Sequence, residues 1–147
     1  MAPQNEDKAM AILYANFRGK KRKINDWIYL AKEVKELSKH YGSYRNLAEK
    51  LGISKEVVRE VLKLLELPEQ VQQLVRDGKL RLEVAWRITG VKNKKDQVRL
   101  ANAVLGLKTH EARDVVRIFR NNPKLNLREY ITRLNNSKIK IEEINLV

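Results

Sequence analysis

The chain has 147 residues, 43% of them hydrophobic and 33% charged, and its 31 Lys and Arg against 18 Asp and Glu leave a net charge of +13. An excess of that size repels itself unless the usual partner is a polyanion, so nucleic acid is expected ahead of an acidic membrane surface. Zero cysteines exclude disulfides, zinc knuckles and thiol chemistry, and neither His40 nor His110 has a second histidine nearby, so no metal and no other cofactor is expected.

Only three prolines and six glycines interrupt the chain, which reads as helical almost throughout. Ala9 to Phe17, AMAILYANF, is a short apolar helix, and the basic run RGKKRK follows it from Arg18 to Lys23. From Asn25 onward Trp27, Leu30, Ala31, Val34 and Leu37 recur three and four apart, the spacing of one buried helix face. That helix is expected to end at His40-Tyr41-Gly42. Ser43 caps a helix over Tyr44 to Leu51 and Ser54 another from Lys55 to about Leu65, since each hydroxyl accepts from an otherwise unpaired N–H. Pro68 opens PEQVQQLVRD, which Gly78 closes. LEVAWRIT runs to Gly90, a further helix spans Lys95 to Leu105, and Thr109 caps EARDVVRIFR. Asn126 and Glu129 form a capping box at the start of LREYITRL. In the tail KIKIEEINLV, Ile139 and Ile141 alternate with lysines at period two, which fits a short strand that either pairs with a second copy or stays disordered.

The stretch NLAEKLGISKEVVREVLK, Asn46 to Lys63, keeps helical spacing on both sides of Gly52-Ile53-Ser54. Leu47 and Leu51 on the first helix, Val58 and Val61 on the second, and Ile53 between them make a small shared core that holds the two helices at a steep angle. Ala48 is small where the helices approach, and Gly52 permits the left-handed backbone of a tight turn. The pattern is that of a helix-turn-helix. The expected fold is therefore all-α, a multi-helix bundle made of an N-terminal helix and basic arm (1–23), a central helix-turn-helix domain (24–122) and a C-terminal helix and tail (123–147).

Lys55, Glu56, Arg59, Glu60 and Lys63 point away from Val58 and Val61. An α-helix fits the major groove of B-DNA, where Arg and Lys donate to guanine and Glu accepts from cytosine N4. Ser54, Lys55, Glu56, Arg59 and Glu60 are the expected base readers, and Lys63 a phosphate contact. A merely solvated face would alternate its signs, whereas Lys55–Arg59 and Glu56–Glu60 place like charges four apart. Tyr44, Arg45 and Lys50 on the first helix are expected on phosphates. Arg18, Lys20, Lys21, Arg22 and Lys23 read either as an arm along phosphates or a minor groove, or as a solvated linker. Trp27 and Tyr29 read as core and helix-flank residues rather than base-stacking platforms.

From Tyr44 onward the sequence resembles the central DNA-binding domain of the ParB family of plasmid and chromosome partition proteins. Asn46 to Leu80 carries the resemblance, because the helix-turn-helix runs straight into LLELPEQVQQLVRDGKL; GLKTHEARDVV, Gly106 to Val116, is similar to a later family segment. The resemblance implies an all-helical domain that binds a palindromic, centromere-like site or operator as a homodimer, with a partition ATPase as a further partner and a cytoplasmic, nucleoid- or plasmid-associated location. Two departures stand out. The family commonly has Gly-His-Ala-Arg where this chain has Glu83-Val84-Ala85-Trp86, with Arg87 a loose substitute. Full-length members also carry an N-terminal nucleotide-binding domain, and the 43 residues ahead of Tyr44 are too few for it. CTP binding and sliding-clamp behaviour are accordingly expected to be absent, in a stand-alone binder or one domain of something larger.

No Walker loop, Gly-x-Ser-x-Gly or Cys–His pair is present, so no enzyme activity is expected. No apolar run approaches the about 20 residues that span a bilayer, and MAPQNEDKAM lacks a secretory pattern. The reading is sequence-specific binding of double-stranded DNA for replicon segregation. The alternatives are a helix-turn-helix regulator of transcription, a basic helical adaptor docking on an acidic protein, and an RNA binder.

Overall fold

The structure, a computed structural model, describes residues 6–17 and 26–145. Among these residues nine α-helices and one 3₁₀ turn follow one another with no strand: α1 (Glu6–Phe17), α2 (Trp27–His40), α3 (Tyr44–Leu51), α4 (Lys55–Lys63), the 3₁₀ turn (Leu64–Glu66), α5 (Glu69–Arg76), α6 (Leu82–Ile88), α7 (Lys94–Ala103), α8 (Thr109–Asn121) and α9 (Leu127–Asn145). The basic run Arg18 to Lys23 lies outside the described residues.

α2 forms the middle of the first half of the fold. Its apolar stripe, Ile28, Leu30, Ala31, Val34 and Leu37, is buried, and α1, α3, α4 and α5 pack around it. Asp26 starts the helix by accepting the Tyr29 N–H at 3.0 Å, and its other carboxylate oxygen meets Arg76 of α5 at 3.5 Å. In the second half, α6 packs on α8 and α7, and α7 packs on α9. The halves meet where α6 touches α4 and α5 and where α7 touches α5. One cluster of buried side chains runs from Ala9 to Leu127, with Phe119 its bulkiest fully buried member. Burying each such side chain contributes about 1.5–3 kcal/mol, so the bundle is held mainly by this shared core.

The ends of the helices follow from local chemistry. α3 stops in a Schellman motif: the Ile53 N–H donates to the Ala48 carbonyl at 3.0 Å, the Gly52 N–H to Glu49 at 3.1 Å, and Gly52 sits at φ +69°. Gln72 ties α5 to the junction before it by donating its side-chain N–H groups to the carbonyls of Leu65 and Leu67, at 3.2 and 2.8 Å. Pro68 stands at the N-cap of α5, one residue ahead of the helix.

Three expectations need correction. The tail is not a strand: α9 continues through Ile139 and Ile141 to Asn145. A lone strand has no partner for its backbone groups, whereas a helix already started at Leu127 gains a bond for each residue added. Thr109 is the first residue of α8 rather than its cap; the Lys108 N–H is taken instead by the Glu111 carboxylate at 3.0 Å. Only half of the expected capping box forms, because Asn126 accepts the Glu129 N–H at 3.0 Å while the Glu129 side chain turns to Arg133.

Candidate nucleic-acid interface

The five residues expected to join the two helices do so. Leu47, Leu51, Val58 and Val61 are buried, Ile53 packs against them half-buried, and Ala48 is buried where α3 meets α4. Ser54 begins α4 in extended conformation and accepts the Val57 N–H at 3.3 Å; the same hydroxyl donates to the Glu56 carboxylate at 3.0 Å. Ser54 is thus engaged in building the helix start on both sides of its oxygen, and it fixes the direction of Glu56. The Glu56 carboxyl lies below the usual 4.5, first through its own backbone N–H, then through Ser54, and with help from the nearby charges of Lys55 and Arg59. It is an ionised acceptor at neutral pH.

Lys55, Glu56 and Arg59 are exposed on the outer face of α4, and Glu60 and Lys63 are half-buried further along it. On α3, Arg45 and Lys50 are exposed; Tyr44 is half-buried, with the Arg45 guanidinium 5.9 Å from its ring centroid. Among the described residues none of Arg45, Lys50, Lys55, Arg59 and Lys63 has a carboxylate within ion-pair distance. Elsewhere in the fold Arg76, Arg87, Arg99, Arg113, Arg117 and Arg133 have one, whereas, among the described residues, Arg81, Arg120 and Arg128 do not. The cations of α3 and α4 hold no ion pair that an external anion would have to displace.

Sequence reasoning missed two features of this surface. Val57, 36% exposed, stands on the first turn of α4 among charged neighbours. An exposed apolar side chain at that place has the chemistry to pack on the C5-methyl of thymine, the apolar mark of the major groove. The signal was present in the sequence: adjacent Val57 and Val58 lie about 100° apart around a helix and do not share a narrow core stripe. The second feature is a group of arginines on α6 and α8 beside α4, whose residues lie too far apart in sequence to register as a motif.

The segment Glu83-Val84-Ala85-Trp86 is part of the scaffold. Val84 and Ala85 are buried, the Trp86 ring meets Trp27 edge-on at 6.4 Å, and Glu83 holds Arg113 at 2.8 Å. No described helix is long and apolar enough to cross a membrane.

Comparison with known families matches the chain, over residues 26–123, to the ParB HTH domain. A search of curated proteins finds no match. The matched span holds α2 through α8, hence the whole helix-turn-helix and the core that carries it. The ParB HTH domain is a helical DNA-binding domain, not a catalytic one, and this chain belongs to that family.

Proposed function

We propose that the protein binds a specific sequence of double-stranded DNA by laying α4 in the major groove, and that it does so to mark a replicon for segregation. The observation that carries this reading is the outer face of α4 together with α3, where exposed cations lack internal partners while an apolar side chain and an ionised acceptor stand between them. Lys55 and Arg59 donate to guanine, Glu56 and Glu60 accept from cytosine N4, and Val57 packs on thymine. Ser54 holds Glu56 in place.

Tyr44, Arg45, Lys50 and Lys63 take phosphates on either side and fix register without reading sequence. Arg18, Lys20, Lys21, Arg22 and Lys23 extend the same electrostatic contact as an arm. A second copy of the chain on a twofold site, a partition ATPase and a location on the nucleoid or plasmid complete the reading.

Selection of bound duplexes from a random pool tests it. A recurring motif with dyad symmetry, bound more tightly than scrambled duplex, single strands or structured RNA, is the expected result. Equal binding to all of these at two salt concentrations rejects it.

A further inference from the structure

Between α7 and α9, which pack on each other, the fold leaves a trough of about 460 Å³. Its floor is apolar: Leu127 is buried at the start of α9, Ile131 follows one turn on, and Ala103 closes α7 opposite them. Ala103 offers only a methyl group there, which gives the trough its depth. Ile131 and Ala103 are half-buried, so the floor is open to solvent rather than sealed in the core. The rim is made of exposed polar residues, Arg99 and Asn102 from α7 and Arg128 and Thr132 from α9. Among the described residues none that lines the trough is acidic.

Two rim groups spend their donors on their own helices. The Asn102 amide donates to the Val98 carbonyl at 2.9 Å, and the Thr132 hydroxyl to the Arg128 carbonyl at 2.8 Å. The guanidinium groups are less committed. Arg128 has no acidic partner among the described residues, and Arg99 meets Asp96 at 3.4 Å in a pair whose arginine is exposed. Such a pair in water is weak and exchanges readily for a better placed carboxylate. The trough is thus apolar along its floor and cationic on both walls.

That combination selects among occupants. A phosphate backbone would satisfy the arginines and leave Leu127 and Ile131 uncovered. A second copy seated face to face would gather Arg99 and Arg128 from both chains into one interface whose lining offers no carboxylate, and like charges so placed oppose docking. An acidic amphipathic helix meets both demands, with apolar residues three and four apart filling the trough and flanking Asp or Glu reaching the arginines. The net charge of +13 draws such a partner in from a distance.

We propose that the trough between α7 and α9 docks an acidic amphipathic helix of another protein. None of its lining residues belongs to the set assigned to DNA, so the partner and a duplex are held at the same time. The proposal goes beyond the reading of α4 and does not depend on it.

The test selects displayed random peptides on the full chain, first alone and then saturated with duplex DNA. The same sequences should emerge from both selections, with apolar residues three and four apart and Asp or Glu between them. One such peptide, made synthetically and labelled, is then titrated by fluorescence anisotropy. Ala103→Leu fills the trough without touching a charge, and Ile131→Ser strips its floor. Each should weaken the peptide by about tenfold or more, the loss of one buried anchor, and leave duplex affinity and the melting curve unchanged. Arg99→Gln/Arg128→Gln should weaken the peptide by about threefold to tenfold, the worth of two exposed ion pairs.

A peptide that binds the folded Ala103→Leu and Ile131→Ser variants as tightly as the parent overturns the proposal, because attraction to the overall charge would then suffice. So does a peptide that duplex DNA displaces, which would place it on the DNA-facing surface. Enrichment of no sequence combining acidic and apolar positions overturns it as well. A parent dimer in light scattering that Ala103→Leu splits would assign the trough to a second copy instead.

Discussion

Val57 and Val58 are the same side chain at consecutive positions, and the fold sends them to opposite environments: Val58 is fully buried and Val57 is 36% exposed. Truncating them should therefore separate stability from recognition. Val58→Ala removes packed methyl groups and should cost about 2 kcal/mol in thermal or denaturant unfolding. Val57→Ala should leave stability within about 0.5 kcal/mol, as surface substitutions do. It should, however, abolish the difference between binding sites carrying thymine and the same sites carrying uracil, which lacks only the methyl group. If wild-type protein binds both alike at every position, Val57 reads no thymine. Arg59→Ala should relax preference at one or two base positions by about 1–3 kcal/mol, and equal loss on specific and random DNA would remove Arg59 from the reading set. Much of this was legible residue by residue: Ser43 and Ser54 as caps, Gly52 in the turn, Ala48 at the close approach. The arginine group on α6 and α8 was not, because Arg87 and Arg120 come together only after α6 and α8 have packed.

At the scale of elements, the sequence marked most helix boundaries, the ends at Gly42, Gly52 and Gly78 as well as the starts at Ser43 and Ser54, and missed at Thr109 and in the tail. A start is fixed by one oxygen meeting one N–H, as at Ser43 and Ser54, which the sequence named as caps, and at Asp26, which it did not. The far end of α9 had no such marker, so two alternating isoleucines suggested a period that the backbone did not adopt. α9 is held by its packing on α7, with Leu127 in the core, and further along by a long-range pair, Lys138 with the buried Glu111 of α8. That contact, followed by the Lys108 N–H, holds the Glu111 carboxyl below its usual 4.5. A depressed carboxyl stabilises the fold fully above the unfolded value and loses that contribution as pH falls through the folded one. Glu111→Gln should therefore lower the melting temperature at pH 7 by a few degrees, corresponding to about 1 kcal/mol. The gap between variant and parent should narrow as pH falls through the folded value and close below it, where Glu111 is protonated in both folded and unfolded chains. A gap that persists undiminished in acid would assign the loss to packing rather than charge.

For the whole molecule, composition alone conveyed an all-helical basic chain, and the family match over residues 26–123 agrees with the motif that carried the resemblance. How two copies would sit together on the proposed twofold site was not legible, since this chain carries no heptad or other period that would encode a surface between identical molecules. The proposed DNA geometry nevertheless constrains it. If each copy lays one α4 in a major groove on the same side of the duplex, the half-sites stand about 34 Å or a multiple apart, with 10–10.5 base pairs to a turn. Joining two weak half-site contacts in one dimer raises avidity by about 10²–10⁴ over one half-site, provided both engage at once. Inserting five base pairs between the half-sites turns them to opposite faces of the duplex. Binding measured by mobility shift should then drop to the level of a single half-site, with the two-copy band giving way to a one-copy band. The same pattern should follow when residues 1–17 or 139–147 are removed, if either segment forms the surface between copies, and light scattering would then report the mass of one chain. Full affinity retained on the five-base-pair insertion would mean that the copies bind independently, and the net charge of +13 would then hold them on DNA without a fixed partner geometry.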